Sequence, residues 1–177
     1  MISSIFRIKT KYMKRIIFIC LILTFSISTI AQNSITDQIN KDIWHTFSKA
    51  FEEKSIELYR SIHTSDLIRV PANSNKLQDL DEYMTGNADF FKRSRTDKAN
   101  ASINFRFLER IHNEKFASER GIYRFGHQQK GGEWQYSYGK FHVILVNTEN
   151  GWKIRMDYDS NEGNTIDIED WNAASPM

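Results

Sequence analysis

The 177-residue chain contains only one Cys, two Pro and eight Gly. A single Cys can neither form an internal disulfide nor supply a Cys-rich zinc site. With 40% hydrophobic and 26% charged residues, the composition excludes a collagen-like chain and a wholly disordered one. The length fits one domain of ordinary size.

Negative charge is missing from the first 31 residues, which contain five Lys or Arg and no Asp or Glu. An apolar core at 16–27 follows the basic start, and Thr29 and Ala31 are small residues at the −3 and −1 positions of a cleavage site. This pattern predicts a secretory signal peptide over residues 1–31, cleaved after Ala31, with Met13 as an alternative start. The other reading is an uncleaved anchor, which the pattern disfavours because a membrane span needs about 20 apolar residues.

Removal of this segment reverses the charge balance. The whole chain has a formal charge of +2, whereas the chain from Gln32 has 19 basic and 22 acidic residues, a net charge of −3. Cys20 is removed as well, which excludes thiol catalysis and thiolate metal ligands. We therefore expect an exported protein, periplasmic or secreted, with no nucleic-acid partner and no stable membrane insertion after cleavage.

The first half of this chain has helical periodicity. A four-residue apolar spacing predicts a long amphipathic helix, with a short second helix after Ser55 and a third from Asp79 to about Arg95. A short strand at 67–70 is closed by Pro71, which cannot donate to a sheet ladder. The apolar stripe of the long helix consists of Ile35, Ile39, Ile43, Phe47 and Phe51.

From Ala101 the apolar period changes to two, which predicts strands at about 103–107, 116–125, 134–146 and 151–159. Asn150 and Gly151 are typical of a hairpin turn between the last two strands. Helices followed by a run of strands indicate an α+β domain. Residues 161–177 form an acidic, polar C-terminal tail with Trp171 as its one large apolar anchor.

Alternation along the last hairpin predicts which side chains are buried. One face carries Phe141, Val143 and Leu145 on the first strand and Trp152, Ile154, Met156 and Tyr158 on the second. The opposite face then carries His142 across from Asp157 or Asp159, depending on the strand register.

Residues 43–70, IWHTFSKAFEEKSIELYRSIHTSDLIRV, and 138–160, YGKFHVILVNTENGWKIRMDYDS, resemble the nuclear transport factor 2-like superfamily, which includes ketosteroid isomerase and the SnoaL-like proteins. The resemblance covers about residues 34–160 and implies a domain at 32–160. The implied fold is cystatin-like: a cone-shaped, curved antiparallel sheet wrapped around a long N-terminal helix. It also implies a pocket at the open end of the cone and frequent homodimers. Members include isomerases, dehydratases and non-catalytic binding domains, so the fold alone does not decide the function.

Four residues are candidates for catalysis. A carboxylate beside an imidazole fixes the tautomer of the ring, so His142 with Asp157 is the first candidate; the alternative is a cross-strand pair on a solvated or dimer face. Asp66 is the carboxylate nearest to where the base of ketosteroid isomerase falls, and it is equally a turn residue. Tyr59 is either a hydrogen-bond donor in the pocket or a core aromatic.

Five aromatic residues are candidates for contact with a ligand, the alternative being simple packing of the core. They are Trp44, Tyr59, Tyr123, Trp152 and Tyr158. A metal site of His112, His142 and Asp157 has no ligand spacing to support it, so we expect no metal and no cofactor.

The sequence therefore favours an exported domain that binds a small apolar or amphipathic ligand in the pocket without catalysis. The alternatives are an isomerase or dehydratase acting on a small organic substrate, and a dimerisation or interaction module. The question of an enzyme stays open, with binding favoured because no catalytic motif is present.

Overall fold

The computed structural model describes residues 34–177. The predicted signal peptide, with Met13, Cys20 and the cleavage point after Ala31, lies outside the described residues. Within them, no helix is both long enough and apolar enough to cross a membrane.

The predicted long helix is confirmed as helix α1, residues 34–53, which contains a π-helical segment at Asn40–His45 followed by α-helix at Thr46–Glu53. In an ideal α-helix a four-residue step rotates a side chain by about 40°. The wider π turn compensates for this drift, so the apolar residues stay on one side. The other helices are α2 (Ile56–Ser61), α3 (Leu80–Thr96) and α4 (Ile168–Ala173).

The sheet has six strands in the order β1-β5-β4-β3-β2-β6 and is curved and open. Neighbouring strands are antiparallel except β1, which lies parallel to β5. The α+β class predicted from the sequence is confirmed. The strands are β1 (His63–Pro71), β2 (Asn100–His112), β3 (Phe116–Gln128), β4 (Gln135–Thr148), β5 (Gly151–Ser160) and β6 (Ser175–Pro176).

Helix α1 packs on one face of the sheet, here called the inner face. The ring of Trp44 lies 4.6 Å from that of Phe105 on β2 and 5.0 Å from that of Phe141 on β4, between ring centroids. Val143 and Leu145 continue the same buried face along β4. This confirms the buried face predicted for the first strand of the hairpin.

The predicted face of the second hairpin strand is wrong in its C-terminal half. Leu145 pairs with Ile154 but Ile144 pairs with Met156, so β5 has one extra residue, Arg155, at this point. A bulge of this kind shifts the alternation by one residue. Met156 and Tyr158 therefore lie on the outer face, while Asp157 and Asp159 lie on the inner face.

The C-terminal segment 161–177 folds against the outer face. Asp167 begins helix α4 with a capping box, in which Asp167 and Asp170 each accept a hydrogen bond from the other's backbone N–H. The buried Trp171 of this helix lies beneath two guanidinium groups, those of Arg106 and Arg124, each 5.0 Å from the ring centroid. Strand β6 then pairs with β2.

Candidate ligand-binding site

A cavity of about 230 Å³ lies between the helices and the inner face of the sheet. Most of its lining is apolar and aromatic, and the polar side chains come mainly from β1, β5 and the two helices α2 and α3. The lining residues are Trp44, Phe47, Phe51, Tyr59, Arg69, Tyr83, Asn87, Ile103, Phe105, Tyr123, Phe125, Phe141, Val143, Asp157 and Asp159.

The apolar part of the lining is a set of aromatic rings that hold one another in place. The ring of Phe47 packs edge-on against Tyr59 and Phe105, with centroids 4.9 Å apart in both pairs. Phe105 in turn contacts Phe141 at 5.6 Å. Such edge-to-face packing fixes ring orientation, so the aromatic walls are preformed.

The polar part of the lining centres on three charged residues, here called the Arg69 cluster: Arg69, Asp157 and Asp159. The Nη2 atom of Arg69 donates to Oδ1 of Asp159 at 2.5 Å, and its Nη1 atom donates to the backbone carbonyl of Asp157 at 3.0 Å. The carboxylate of Asp157 is more distant, 3.8 Å from Nη1. Arg69 and Asp157 are each only 6% exposed, whereas the side chain of Asp159 is 32% exposed. Solvent therefore reaches the cluster at Asp159.

Two tyrosines connect helices α2 and α3 to the cluster. Tyr83 donates its hydroxyl to Oδ2 of Asp157 at 3.2 Å, and the hydroxyls of Tyr59 and Tyr83 are 2.5 Å apart. Because the proton of Tyr83 is directed to the carboxylate, Tyr59 donates to Tyr83. The ring of Tyr83 also lies 4.8 Å beneath the Arg69 guanidinium.

The side chain of Tyr123 on β3 passes over Gly139 of β4 towards the Arg69 cluster. Tyr123 pairs with Gly139 on β4, and a Cβ atom at that position would overlap the Tyr123 ring. Because Gly139 has no side chain, the ring of Tyr123 can lie against β4. The negative charge of Asp159 on β5 adds to the effect of burial in raising the pKa of the Tyr123 hydroxyl. The glycine is therefore required for the position of Tyr123.

Burial controls the protonation of the groups around the cavity. It raises the pKa of Tyr123 to about 12 and that of Tyr59 and Tyr83 well above the usual range, so all three hydroxyls keep their protons. Burial also raises the pKa of Asp159, against the opposing effect of Arg69. Burial alone would lower the pKa of Arg69, but Asp157, Tyr83 and Asp159 raise it above its ordinary value.

His63 lies behind the tyrosines and is uncharged at neutral pH. Burial lowers its pKa to about 4. Its Nδ1 atom is 2.8 Å from the backbone carbonyl of Tyr59, which can only accept, so this nitrogen carries the proton. Its Nε2 atom is buried and has no hydrogen-bond partner within the described residues 34–177.

The structure brings together four of the residues singled out from the sequence. Trp44, Tyr59 and Tyr123 line the cavity, and so does Asp157. The hairpin pattern predicted that Asp157 or Asp159 lies across from His142. The bulge at Arg155 instead turns Asp157 to the inner face, away from His142.

The other predicted residues lie elsewhere. Trp152 is buried in the core away from the cavity lining, and its backbone N–H donates to Asp42. Asp66 has a side chain that is 58% exposed and pairs with Arg155 at 2.8 Å.

His142 and Tyr158 pair with each other on the outer face. They line a broad groove of about 550 Å³ there, together with Arg120. The Nε2 atom of His142 is 2.9 Å from the hydroxyl of Ser118, and burial together with Arg120 lowers the pKa of the imidazole. The predicted His142–Asp157 pair is thus divided between the two faces of the sheet.

Sequence reasoning missed Arg69 and Tyr83. Alternation along β1 places Arg69 on the same face as Leu67, and the structure shows that this face is the buried one, because Ile68 between them is 50% exposed. A charged residue at a buried strand position indicates a paired or functional charge. No comparable signal marked Tyr83.

No group of three His, Cys, Asp or Glu side chains within residues 34–177 is arranged to hold a metal ion. His112, His142 and Asp157, the combination considered from the sequence, do not come together, because His142 lies on the outer face and Asp157 on the inner face.

No protein-family model matches the sequence, and none of the curated proteins matches it. Solved structures do match the fold. A nuclear transport factor 2-like protein with a cystatin-like fold from Novosphingobium aromaticivorans superposes with a TM-score of 0.64 at 9% identity, covering 85% of this chain and 95% of that one. The chain has the nuclear transport factor 2-like fold. The resemblance stated from the sequence is confirmed at this level.

Two further solved structures match the same fold. A nuclear transport factor 2-like protein of unknown function from Shewanella oneidensis matches with a TM-score of 0.56 at 16% identity, over 71% of this chain and 98% of its own. A candidate dehydratase from Streptomyces avermitilis matches with a TM-score of 0.58 at 12% identity, over 72% and 96%. At these identities the likeness concerns the fold alone.

Proposed function

We propose that this protein binds a small amphipathic molecule in the cavity, with the apolar part of the ligand against the aromatic rings and its polar part at the Arg69 cluster. The observation that carries the proposal is a preformed aromatic cavity with a hydrogen-bonded charged cluster on one side. Ligand sites are typically concave, mostly apolar and provided with a few convergent polar groups.

The size of the cavity limits the ligand. Drug-sized ligands occupy pockets of about 300–1,000 Å³, whereas this cavity measures about 230 Å³. A molecule with one ring and a short polar chain therefore fits better than one with several fused rings.

The proposal is tested by calorimetric titration with 3-phenylpropanol, a neutral molecule of this kind. We expect saturable one-site binding to the wild type. Asn87→Phe places a ring in the cavity and should weaken binding at least about tenfold, a change of about 1.4 kcal/mol. Thr85→Phe, at an exposed position of the same helix, is the matched control and should bind like the wild type. Equal binding to both variants, or no binding to the wild type of either 3-phenylpropanol or a charged probe with the same ring and chain length, would contradict the proposal.

A second candidate function is isomerisation of a small enone, favoured by one observation: Asp159 is a cavity carboxyl whose pKa is raised by burial. Asp159 would take the proton from the carbon between the carbonyl and the double bond and return it to the far end of the alkene. Binding remains the first proposal because Arg69 already holds Asp159 at 2.5 Å. Conversion of 3-cyclohexenone to 2-cyclohexenone, followed by ultraviolet absorbance, tests the alternative; a rate unchanged in Asp159→Asn would exclude it.

We also propose that two copies associate through the outer face. The pairing register of the sheet aligns one row of side chains across five strands of the outer face. Both ends of the row are exposed, Ile68 to 50% and Ile111 to 59%. The row consists of Ile68, Met156, Ile144, Ser118 and Ile111. Light scattering at high concentration should give the dimer mass for the wild type and the monomer mass for Ile111→Asp. A monomeric wild type would contradict this proposal.

The basic and apolar pattern of residues 1–31 supports a last proposal, that the domain acts after export. Mass spectrometry of the protein recovered outside the cytoplasm should find a mature chain that begins at Gln32. A chain that retains the first 31 residues would contradict cleavage.

A further inference from the structure

The cavity lining has more negative than positive charge. It contains two carboxylates, Asp157 and Asp159, and one guanidinium, Arg69. No other residue in the lining is charged at neutral pH, and the nearby His63 is neutral. The lining therefore has a net charge of about −1.

Arg69 neutralises the carboxylate of Asp157 less completely than that of Asp159. Arg69 uses Nη2 for Asp159 and Nη1 for the backbone carbonyl of Asp157, which leaves the Asp157 carboxylate with a 3.8 Å ionic contact. Its one hydrogen-bond donor among the described side chains is Tyr83, at 3.2 Å. An ionised carboxylate offers about four acceptor positions. Asp157 thus faces the cavity with unused acceptor capacity while being 6% exposed.

The aromatic part of the cavity favours the same sign of ligand charge. The faces of aromatic rings carry negative potential and attract cations. Nine of the fifteen lining residues are aromatic, and they share the cavity with the two carboxylates. A ligand carboxylate or phosphate could approach Arg69 but would meet the like charges of Asp157 and Asp159. An anion in the cavity would be attracted by one charge, that of Arg69, and repelled by two, those of Asp157 and Asp159. A cation would be attracted by the two carboxylates and repelled only by Arg69.

We infer that the ligand is a small amphipathic amine, whose ammonium group contacts Asp157 while its one-ring apolar body packs against the aromatic rings. This inference rests on the proposed function and specifies the chemical class of its ligand. The ammonium group supplies the charge that the Arg69 cluster lacks, and its N–H groups use the free acceptor positions of Asp157.

Three probes that share a phenyl ring and a three-carbon chain test the inference by calorimetry at neutral pH: 3-phenylpropylamine, 3-phenylpropanol and 3-phenylpropionate. We expect the amine to bind at least about tenfold more tightly than the alcohol, and the carboxylate to bind most weakly. If no probe binds, the proposed function fails and this inference fails with it. If the alcohol or the carboxylate binds as tightly as the amine, the cavity stands as a ligand site but the inferred charge is wrong.

Variants locate the source of the preference. Asp157→Asn keeps an oxygen for Tyr83 and removes the charge, so the preference for the amine over the alcohol should disappear. Asp159→Asn makes the same change at a half-exposed position and should reduce the preference even if Asp157→Asn does not fold. Asp66→Asn removes an exposed carboxylate outside the cavity and is the matched control. A preference that survives both cavity variants, or falls equally in the control, would overturn the inference.

Discussion

Two buried charged clusters lie on the inner face of the same sheet, and they differ in how completely they are paired. In the Glu119 cluster, the fully buried Glu119 accepts from Trp44 at 2.6 Å and from Arg110 at 2.8 Å, and Arg110 also donates to Asn40 at 2.7 Å. One acid faces one guanidinium, and both carboxylate oxygens are hydrogen-bonded. In the Arg69 cluster, two acids share one guanidinium and face a cavity.

The difference separates a cluster whose charges are paired within the protein from the cluster that we propose as part of a ligand site. The Glu119 cluster connects helix α1 to strands β2 and β3, and the guanidinium of Arg110 is covered by the ring of Phe107 at 4.0 Å. The charges of Glu119 and Arg110 neutralise each other, so this cluster does not need a charged ligand. Among residues 34–177 the Arg69 cluster is not fully paired, which is the condition expected of a binding site.

The largest loss of stability is expected when the cation of the Glu119 cluster is removed. Arg110→Met leaves a carboxylate with no solvent exposure and no cation, and loss of one partner of a buried pair costs about 3–5 kcal/mol. We expect the free energy of unfolding to fall by this amount in chemical denaturation. The double variant Arg110→Met/Glu119→Met should recover most of it. A single variant as stable as the wild type would remove the distinction between the two clusters.

The next largest effect is the contribution of His63, behind the Arg69 cluster, to the pH dependence of the free energy of unfolding. Its pKa is about 4 in the folded protein against 6.5 in the unfolded chain. The unfolded chain therefore binds more protons between these values, so the contribution is present above pH 6.5 and is lost as pH falls towards 4. We expect the free energy of unfolding to drop by about 3 kcal/mol more in the wild type than in His63→Gln between pH 7 and pH 4.

The exposed His45 on helix α1 provides the control for this measurement. His45→Gln should follow the wild-type pH profile. If the profiles of His63→Gln and the wild type coincide instead, then His63 is not held neutral by burial.

The smallest effect on stability is expected at the Arg69 cluster itself. Asp159→Asn removes a charge from a side chain that is 32% exposed, and Arg69 keeps the carboxylate of Asp157 at 3.8 Å as its counter-ion, so the loss should be close to the roughly 1 kcal/mol of a partly exposed pair. Thermal and chemical unfolding should change by less than about 1 kcal/mol, while the preference for an amine falls. A loss as large as that of Arg110→Met would mean that both clusters are structural.

The sequence was sufficient for the fold because the fold depends on periodicity. The four-residue stripe of α1, the two-residue alternation of β2 to β4 and the turn at Gly151 are local patterns, and each survives in the structure. The outward and inward faces of β4 were also predicted correctly from Phe141, Val143 and Leu145.

The site was predicted only in part because it depends on an irregularity. The single extra residue at Arg155 reverses the faces of Asp157 and Tyr158, and no local pattern in β5 indicates where a bulge falls. Arg69 and Asp157 meet only because β1 lies parallel beside β5, a pairing of distant segments. Trp44, Tyr59 and Tyr123 line the cavity because their positions follow from the regular part of the fold, and their contact with a ligand stays a prediction.

Intermolecular nuclear Overhauser effects with 3-phenylpropylamine show directly whether the cavity beside the Arg69 cluster holds a ligand. We expect contacts from the phenyl protons to Phe105 and Phe141, and from the methylene next to the ammonium to Tyr83. Contacts confined to Tyr158 and the outer groove, or no contacts at saturating probe, would contradict this expectation.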